Sequence, residues 1–185
     1  YREKFFLQIF AGIVLLQSGY SINNFHGIFG IFIIPEWLSI MVTLFVFLIV
    51  VNAINLIDGL DGLASLVSIK FLIVSGGIML VNYSELFLFF PIIIGGLLGF
   101  LLHNFSSTKK VFLGDTGSLF IGATMAFFVI FILDGDSQII TDKYISRPLM
   151  CVLILLYPLT DTLRAIILRS YKNQSPFVAD RIHLH

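Results

Sequence analysis

Residues 38–62 read LSIMVTLFVFLIVVNAINLIDGLDG, and this stretch decides the fold class. Residues 38–57 carry no charge, and about 20 apolar residues in helical form are the length that crosses the hydrocarbon core of a bilayer. Two aspartates, Asp58 and Asp61, follow directly where the apolar run ends. The stretch therefore predicts a membrane-spanning helix that carries polar groups at one end.

The whole chain repeats this apolar character. Of its 185 residues 58% are hydrophobic and only 12% are charged, whereas a soluble domain carries about 25% charged residues. The sequence predicts one all-α membrane domain over 1–185, a polytopic transmembrane bundle of about six spans. Gln17 and Ser18 shorten the first span, and Gly95, Gly96 and Gly99 are predicted to pack closely against a neighbouring helix. The five further spans are 4–20, 63–81, 86–103, 117–133 and 148–168.

The basic residues predict an orientation. Nine of the 11 Lys and Arg residues fall on the side that holds both chain ends, and only Lys143 and Arg147 fall on the other. Cytoplasmic loops are enriched in Lys and Arg, so both ends and the tail 169–185 are predicted to be cytoplasmic. Segment 21–36 is then an ordered external hairpin or interfacial loop. A net charge of zero excludes a basic nucleic-acid binder.

The first polar cluster follows the opening helix. Asn52, Asn55 and Asp58 recur every three residues, so they form one polar stripe on a helix, and Asp61 follows in a glycine-containing turn. Burial of an aspartate in lipid costs about 2.5–3.5 kcal/mol, so the stripe must face protein, water or an ion. A capped turn between two helices is the simpler alternative.

Two more clusters lie on the same predicted side. Residues 112–118 (FLGDTGS) open the fifth span, where the amides of a helix N-terminus favour a diphosphate and Asp115 could hold Mg²⁺. An ordinary N-cap is the alternative there. The segment 175–185 carries Asp180, Arg181, His183 and His185, which suit phosphate or sugar binding. A plain polar tail is the alternative for this segment.

These segments resemble a known family. NAINLIDGLDGLA at 52–64, FLGDTGSLFIG at 112–122 and PFVADRIHLH at 176–185 resemble signature segments of the polyprenyl-phosphate N-acetylhexosamine-1-phosphate transferases (glycosyltransferase family 4), in particular the N-acetylglucosamine branch. The resemblance implies transfer of a sugar-1-phosphate from a UDP-sugar to a polyprenyl phosphate with release of UMP. It also implies Mg²⁺, with Mn²⁺ as an alternative, and leaves a homodimer open.

The resemblance assigns roles only to positions that match the family's motifs. It implies catalytic roles for Asp115, Asp58 and Asp61 and metal ligation by Asp115 and Asn55. The substrate-binding positions that it implies are Asn52, Asn55, Phe112, which lies near the uracil, Gly114, Arg181, His183 and His185.

One family feature is absent from the printed sequence. The family carries an adjacent Asp-Asp pair on an earlier cytoplasmic loop, and Tyr1 to Lys4 resembles the stretch just after it. The expectation is therefore that early helices are missing and that the 185 residues alone are inactive. An ion-coupled transporter and a non-catalytic membrane scaffold remain open as alternatives. The sugar and the polymer that is built stay open.

Overall fold

The computed structural model describes residues 2–82, 85–108, 110–134 and 146–171. These ranges contain seven α-helices, and short 3₁₀ turns lie at Ile28–Gly30 and Glu85–Leu88. The α-helices in chain order are α1 Arg2–Gln17, α2 Glu36–Ile57, α3 Leu63–Val81, α4 Phe89–Asn104, α5 Gly114–Leu133, α6 Arg147–Ile154 and α7 Leu156–Tyr171.

The long apolar helices confirm the predicted helical membrane bundle. Four of them meet the length and hydropathy expected of a span: α2, α3, α5, and α4 together with the 3₁₀ turn before it. A helix satisfies its backbone hydrogen bonds internally, which the hydrocarbon core requires. The count of six spans is not confirmed. Predicted span 4–20 is a helix of only 16 residues, below the usual crossing length of about 20.

The predicted span 148–168 is wrong as one straight helix. It is divided between α6 and α7, whose axes differ by 69°. Pro158 explains the break, because proline has no backbone N–H for the carbonyl of Ile154 and its ring clashes with that carbonyl. If this bent pair is one span, the described residues hold up to five.

Helices α1 to α5 alternate in direction, so their ends form two faces. We call the face with the end of α2 and the beginnings of α3 and α5 the site end. The opposite face holds the segment 18–35, which joins α1 to α2, and we call it the hairpin end. Between the two faces lies an apolar core of buried side chains from α2, α3 and α5, including Ile54, Leu72 and Met125.

The closest helix contact described is between α2 and α5. A Cβ atom at Gly122 would lie 3.0 Å from Val51 Cα and 3.1 Å from its carbonyl oxygen, so a side chain there would force the backbone of Val51 to shift by a few tenths of an ångström. The prediction for α4 is wrong within the described residues, because a Cβ on Gly95, Gly96 or Gly99 would meet nothing within 4 Å.

This difference gives a test of the bundle. We expect Gly122→Ala to destabilise the protein by about 1–3 kcal/mol, because Val51 is buried within α2 and a shift of its backbone would disturb the packed core. Gly96→Ala, the same change at an exposed helix position, should cost nothing. Thermal unfolding, followed by the reactivity of the buried thiol of Cys151, measures both. Equal unfolding temperatures for the two variants would contradict the close contact.

Candidate functional site

Asn55 joins the end of α2 to the beginning of α5. Its Nδ2 donates to Ser118 Oγ at 2.7 Å and to Asp115 Oδ1 at 3.2 Å. Ser118 is fully buried, and its hydroxyl donates to the carbonyl oxygen of Gly114 at 2.9 Å. Asn55 of the predicted stripe thus faces α5, and the carboxylate of Asp115 is held from one side by an amide.

Asp58 lies one turn further along, where α2 ends. It is half-buried, and burial together with the nearby charge of Asp115 raises the pKa of its carboxyl to about 6. The backbone N–H of Gly114 donates to this carboxylate and acts in the opposite direction. The two carboxylates are therefore close enough to repel each other at the N-terminus of α5.

The turn 58–62 and the loop 105–113 form the outer part of the site. Lys110 Nζ lies 2.5 Å from Asp61 Oδ2 and 5.3 Å from the centre of the Phe112 ring. Both charged groups are well exposed, so the ion pair contributes little to stability. The Phe112 ring is also exposed, and it is free to contact a ligand.

A pocket lies between this turn and the loop. Asn104 at the end of α4 is 4% exposed, and its Nδ2 donates to the carbonyl oxygen of Val111 at 2.8 Å. Asn104 Oδ1 has no hydrogen-bond partner among the described residues. A buried acceptor without a partner costs free energy until a donor reaches it. The pocket is lined by residues that include Asp58, Asp61, Gly62, Asn104, Phe112 and Leu113.

The N-terminal half of α1 contributes residues that sequence reasoning missed. Lys4 Nζ binds Asp115 Oδ2, on the side of the carboxylate away from Asn55. Gln8, one turn later, forms a reciprocal amide pair with Asn52, with Nδ2 to Oε1 at 3.0 Å and Nε2 to Oδ1 at 3.3 Å. A signal was present, because polar residues four apart in an apolar helix share one face that must meet protein.

The amide pair gives Asn52 a role in holding α1. Its second N–H donates to the carbonyl oxygen of Leu48 at 2.7 Å, so both amide protons are used within the protein. We expect Gln8→Leu and Asn52→Leu each to destabilise the protein by about 1 kcal/mol, because a part-buried amide loses its partner. The double variant should recover most of the loss. Thermal unfolding checks this, with exposed Gln17→Leu in the same helix as the control, and additive losses would contradict it.

Asp115 and Asp58 are the residues that suit a metal ion. Mg²⁺ is commonly held by one or two carboxylates, with water and phosphate completing its coordination. Two mutually repelling carboxylates at one helix end fit that pattern, and the described residues contain no group of three or more His, Cys, Asp or Glu that would form a fuller cage. Asn55 turns its amide nitrogen toward Asp115, so its predicted ligation would require its carbonyl oxygen instead.

The structure brings together most of the predicted site. Asn52, Asn55 and Asp58 from α2, Asp61 from the turn, and Phe112, Gly114 and Asp115 around the beginning of α5 lie at the site end. The N–H of Gly114, predicted to bind a diphosphate, donates to Asp58 here. Arg181, His183 and His185 lie outside the described residues, as does the tail 169–185 beyond Tyr171.

These features define a multi-pass helical membrane protein with carboxylate and amide groups at one end. The profile described as "Glycosyl transferase family 4" matches residues 1–133. The chain belongs to this family, as the resemblance predicted.

Curated relatives agree with the family assignment. The chain is 32% identical over 98% of its length to "Decaprenyl-phosphate N-acetylglucosaminephosphotransferase" of Mycolicibacterium smegmatis, covering 49% of that protein. It is 34% identical over its whole length to "Probable undecaprenyl-phosphate N-acetylglucosaminyl 1-phosphate transferase" of Bacillus subtilis, covering 50%. A stretch that makes up 68% of the chain is 39% identical to "Phospho-N-acetylmuramoyl-pentapeptide-transferase" of Streptococcus agalactiae and covers 38% of that protein. The chain thus spans about half the length of the first two relatives.

Proposed function

We propose that the full-length protein transfers N-acetylglucosamine-1-phosphate from UDP-N-acetylglucosamine to a polyprenyl phosphate and releases UMP. The observation that carries this proposal is the convergence of Asn55, Asp58 and Asp115 from two packed helices at one end of a membrane bundle. A lipid phosphate in one leaflet and a water-soluble nucleotide can both reach such a position. The two N-acetylglucosamine transferases among the relatives cover almost the whole chain and favour this sugar.

In the proposed reaction, an oxygen of the polyprenyl phosphate attacks the β-phosphorus of the UDP-sugar. The bond from that phosphorus to the bridging oxygen breaks, and UMP leaves with its electron pair. Phosphoryl transfer depends mainly on positioning and charge neutralisation. Asn55 holds the carboxylate of Asp115 in a fixed direction, Lys4 supplies positive charge beside it, and Lys110 supplies positive charge beside Asp61.

A divalent cation fits the proposal at Asp115 and Asp58. Bound Mg²⁺ would neutralise the charge of the diphosphate and of the leaving UMP. The exposed ring of Phe112 lies where a uracil could stack, and Asn104 Oδ1 could accept a hydrogen bond from a base or ribose donor. These two groups support a nucleotide site in the pocket between the turn 58–62 and the loop 105–113.

We further propose that the site end faces the cytoplasm of a bacterium. Nine of the 11 basic residues fall on the side that the predicted topology gives to both chain ends, and cytoplasmic loops are enriched in basic residues. The alternative of an ion-coupled transporter has less in its favour. Asp58, Asp61 and Asp115 all lie at helix ends on one face, whereas transporter ion sites lie near the middle of the bilayer.

The experiment uses membranes that contain the full-length protein, undecaprenyl phosphate, Mg²⁺ and radiolabelled UDP-N-acetylglucosamine. We expect the label to enter the lipid extract, to return to the aqueous phase when UMP is added, and to stay aqueous with a chelator. Transfer only from UDP-N-acetylmuramoyl-pentapeptide would contradict the proposal that UDP-N-acetylglucosamine is the donor. No transfer from any UDP-sugar by inserted, folded protein would contradict the reaction.

Phe112 gives a separate test of nucleotide binding. We expect Phe112→Leu to raise the KM for the UDP-sugar by about 10-fold, because a base stacked on an aromatic ring is worth about 1–3 kcal/mol. The kcat should change less. Phe120→Leu, at an exposed ring in the second turn of α5 and outside the pocket lining, should leave both constants unchanged. An unaltered KM for Phe112→Leu would remove this residue from the binding site.

A further inference from the structure

The hairpin that joins α1 to α2 ends in an exposed apolar tip, residues 28–33. Phe29 is 96% exposed, Ile33 84% and Phe32 62%. The whole connection 18–35 contains no Asp, Glu, Lys or Arg. A surface that faces water seldom combines exposed aromatic rings with an absence of charge. The tip therefore requires an apolar environment.

The backbone of the hairpin satisfies part of its own polar groups. The N–H of Phe25 donates to the carbonyl oxygen of Phe32 at 2.7 Å, and that of Gly27 donates to Ile31 at 3.0 Å. The N–H groups of Ile28, Gly30 and Ile31 donate within the 3₁₀ turn. Non-spanning backbone tolerates a lipid environment only when its hydrogen bonds are made internally. The tip meets this condition at three of its six N–H groups, those of Ile28, Gly30 and Ile31.

Contacts with the bundle fix where the tip lies. The N–H of Ile22 donates to Thr43 Oγ1 on α2 at 2.9 Å, and His26 Nε2 lies 3.0 Å from the carbonyl oxygen of Leu133 at the end of α5. The ring of Tyr20 packs on Phe127 and Phe131 of α5. The base of the hairpin is thus attached to two spanning helices.

The length of α2 sets the depth of the hairpin. A helix of 22 residues is about 33 Å long and matches a hydrocarbon core of about 30 Å. The hairpin, which precedes α2, therefore lies at the boundary between hydrocarbon and head groups. Trp37 in the first turn of α2 is 64% exposed and Met41 one turn later is 62% exposed. An exposed tryptophan at a helix end is typical of the membrane interface.

We propose that residues 28–33 insert into the lipid interface at the hairpin end and anchor this end of the bundle in the leaflet opposite the site. Lipid is the occupant that the observations favour, because the apolar tip continues the exposed apolar surface of α2 at Trp37 and Met41. The tip offers no charge to a soluble partner. The proposal is independent of the reaction catalysed at the other end.

Fluorescence quenching by lipid tests the proposal, because Trp37 is the chain's single tryptophan. In a Trp37→Phe background, Phe29→Trp places a reporter at the tip without disturbing the core. The protein is reconstituted in nanodiscs of phosphatidylcholine, with or without bromine on the acyl chains. We expect brominated lipid to reduce the emission about two-fold or more and aqueous iodide to have little effect.

Ser107→Trp in the same background is the control, because Ser107 is exposed in the polar loop between α4 and α5. Iodide should quench this reporter, and brominated lipid should not. Strong iodide quenching at position 29 would overturn the proposal and place the tip in water. Protection from both quenchers would also overturn it, and disulfide formation between two Phe29→Cys copies would then identify a second copy as the occupant. Phe32→Trp should repeat the result for Phe29→Trp.

Discussion

Asp115→Asn is expected to reduce sugar-phosphate transfer by the full-length protein about 1,000-fold, which corresponds to about 4 kcal/mol of transition-state stabilisation. Asp115 receives Asn55 on one carboxylate oxygen and Lys4 on the other. The substitution removes one of the two carboxylates, Asp115 and Asp58, that would hold a divalent cation. Transfer of radiolabel from UDP-N-acetylglucosamine into lipid measures the loss.

Two features make this result interpretable. The side chain of Asp115 is 56% exposed, so loss of its ion pair should change the unfolding temperature little. Glu36→Gln is the matched control, because Glu36 is an exposed acid in the first turn of α2 at the hairpin end. The control should keep full activity. More than about a tenth of the activity remaining in Asp115→Asn would contradict a metal-binding role.

Gly62→Ala is expected to have the largest effect on folding. Gly62 begins α3 with a φ of 72°, which costs a residue with a Cβ about 1–2 kcal/mol. A Cβ there would also lie 2.3 Å from Phe105 Cζ, and such overpacking costs about 1–3 kcal/mol. Because Gly62 closes the turn that carries Asp58 and Asp61, we expect activity to fall together with stability. Thermal unfolding and label transfer measure the two effects.

Gly59→Ala is the control within the same turn, because it adds a methyl group without the positive φ and the close contact with Phe105 that are present at Gly62. Gly59 has open space around its Cβ position and no left-handed backbone. The stability of this variant should therefore stay close to that of the unchanged protein. Equal destabilisation at both positions would show that the turn is sensitive to any side chain, and would refute the specific contact between Gly62 and Phe105.

Hydropathy predicted the class of fold because membrane helices must be long and apolar. It also located α2 and α5 and the polar stripe at Asn52, Asn55 and Asp58. The break between α6 and α7 was predictable from Pro158, but the apolar run on both sides concealed it. Hydropathy reports how strongly the side chains of a segment prefer an apolar environment to water. It does not report where a helix must bend.

Partners across the chain were beyond the reach of the sequence. Lys4 and Asp115 are 111 residues apart, and nothing local in either segment indicates the other. The glycines show the same limit of sequence-based prediction. A Cβ atom on Gly95, Gly96 or Gly99 of α4 would meet nothing within 4 Å, whereas a Cβ atom on Gly122 would meet the backbone of Val51. Composition shows that a helix could pack closely, whereas the face that does so depends on its neighbours.

The contact of Gly122 with Val51 fixes the geometry of one part of the site and does not constrain the other part. Asn55 and Ser118 each lie about one turn from this contact, on α2 and α5 respectively. Their spacing is therefore fixed by the same backbone contact that holds the interior together. The loop with Lys110 and Phe112 has no such constraint. Under the proposed function, changes in this loop would alter which nucleotide sugar is admitted, while Asn55 and Ser118 would stay where the core holds them.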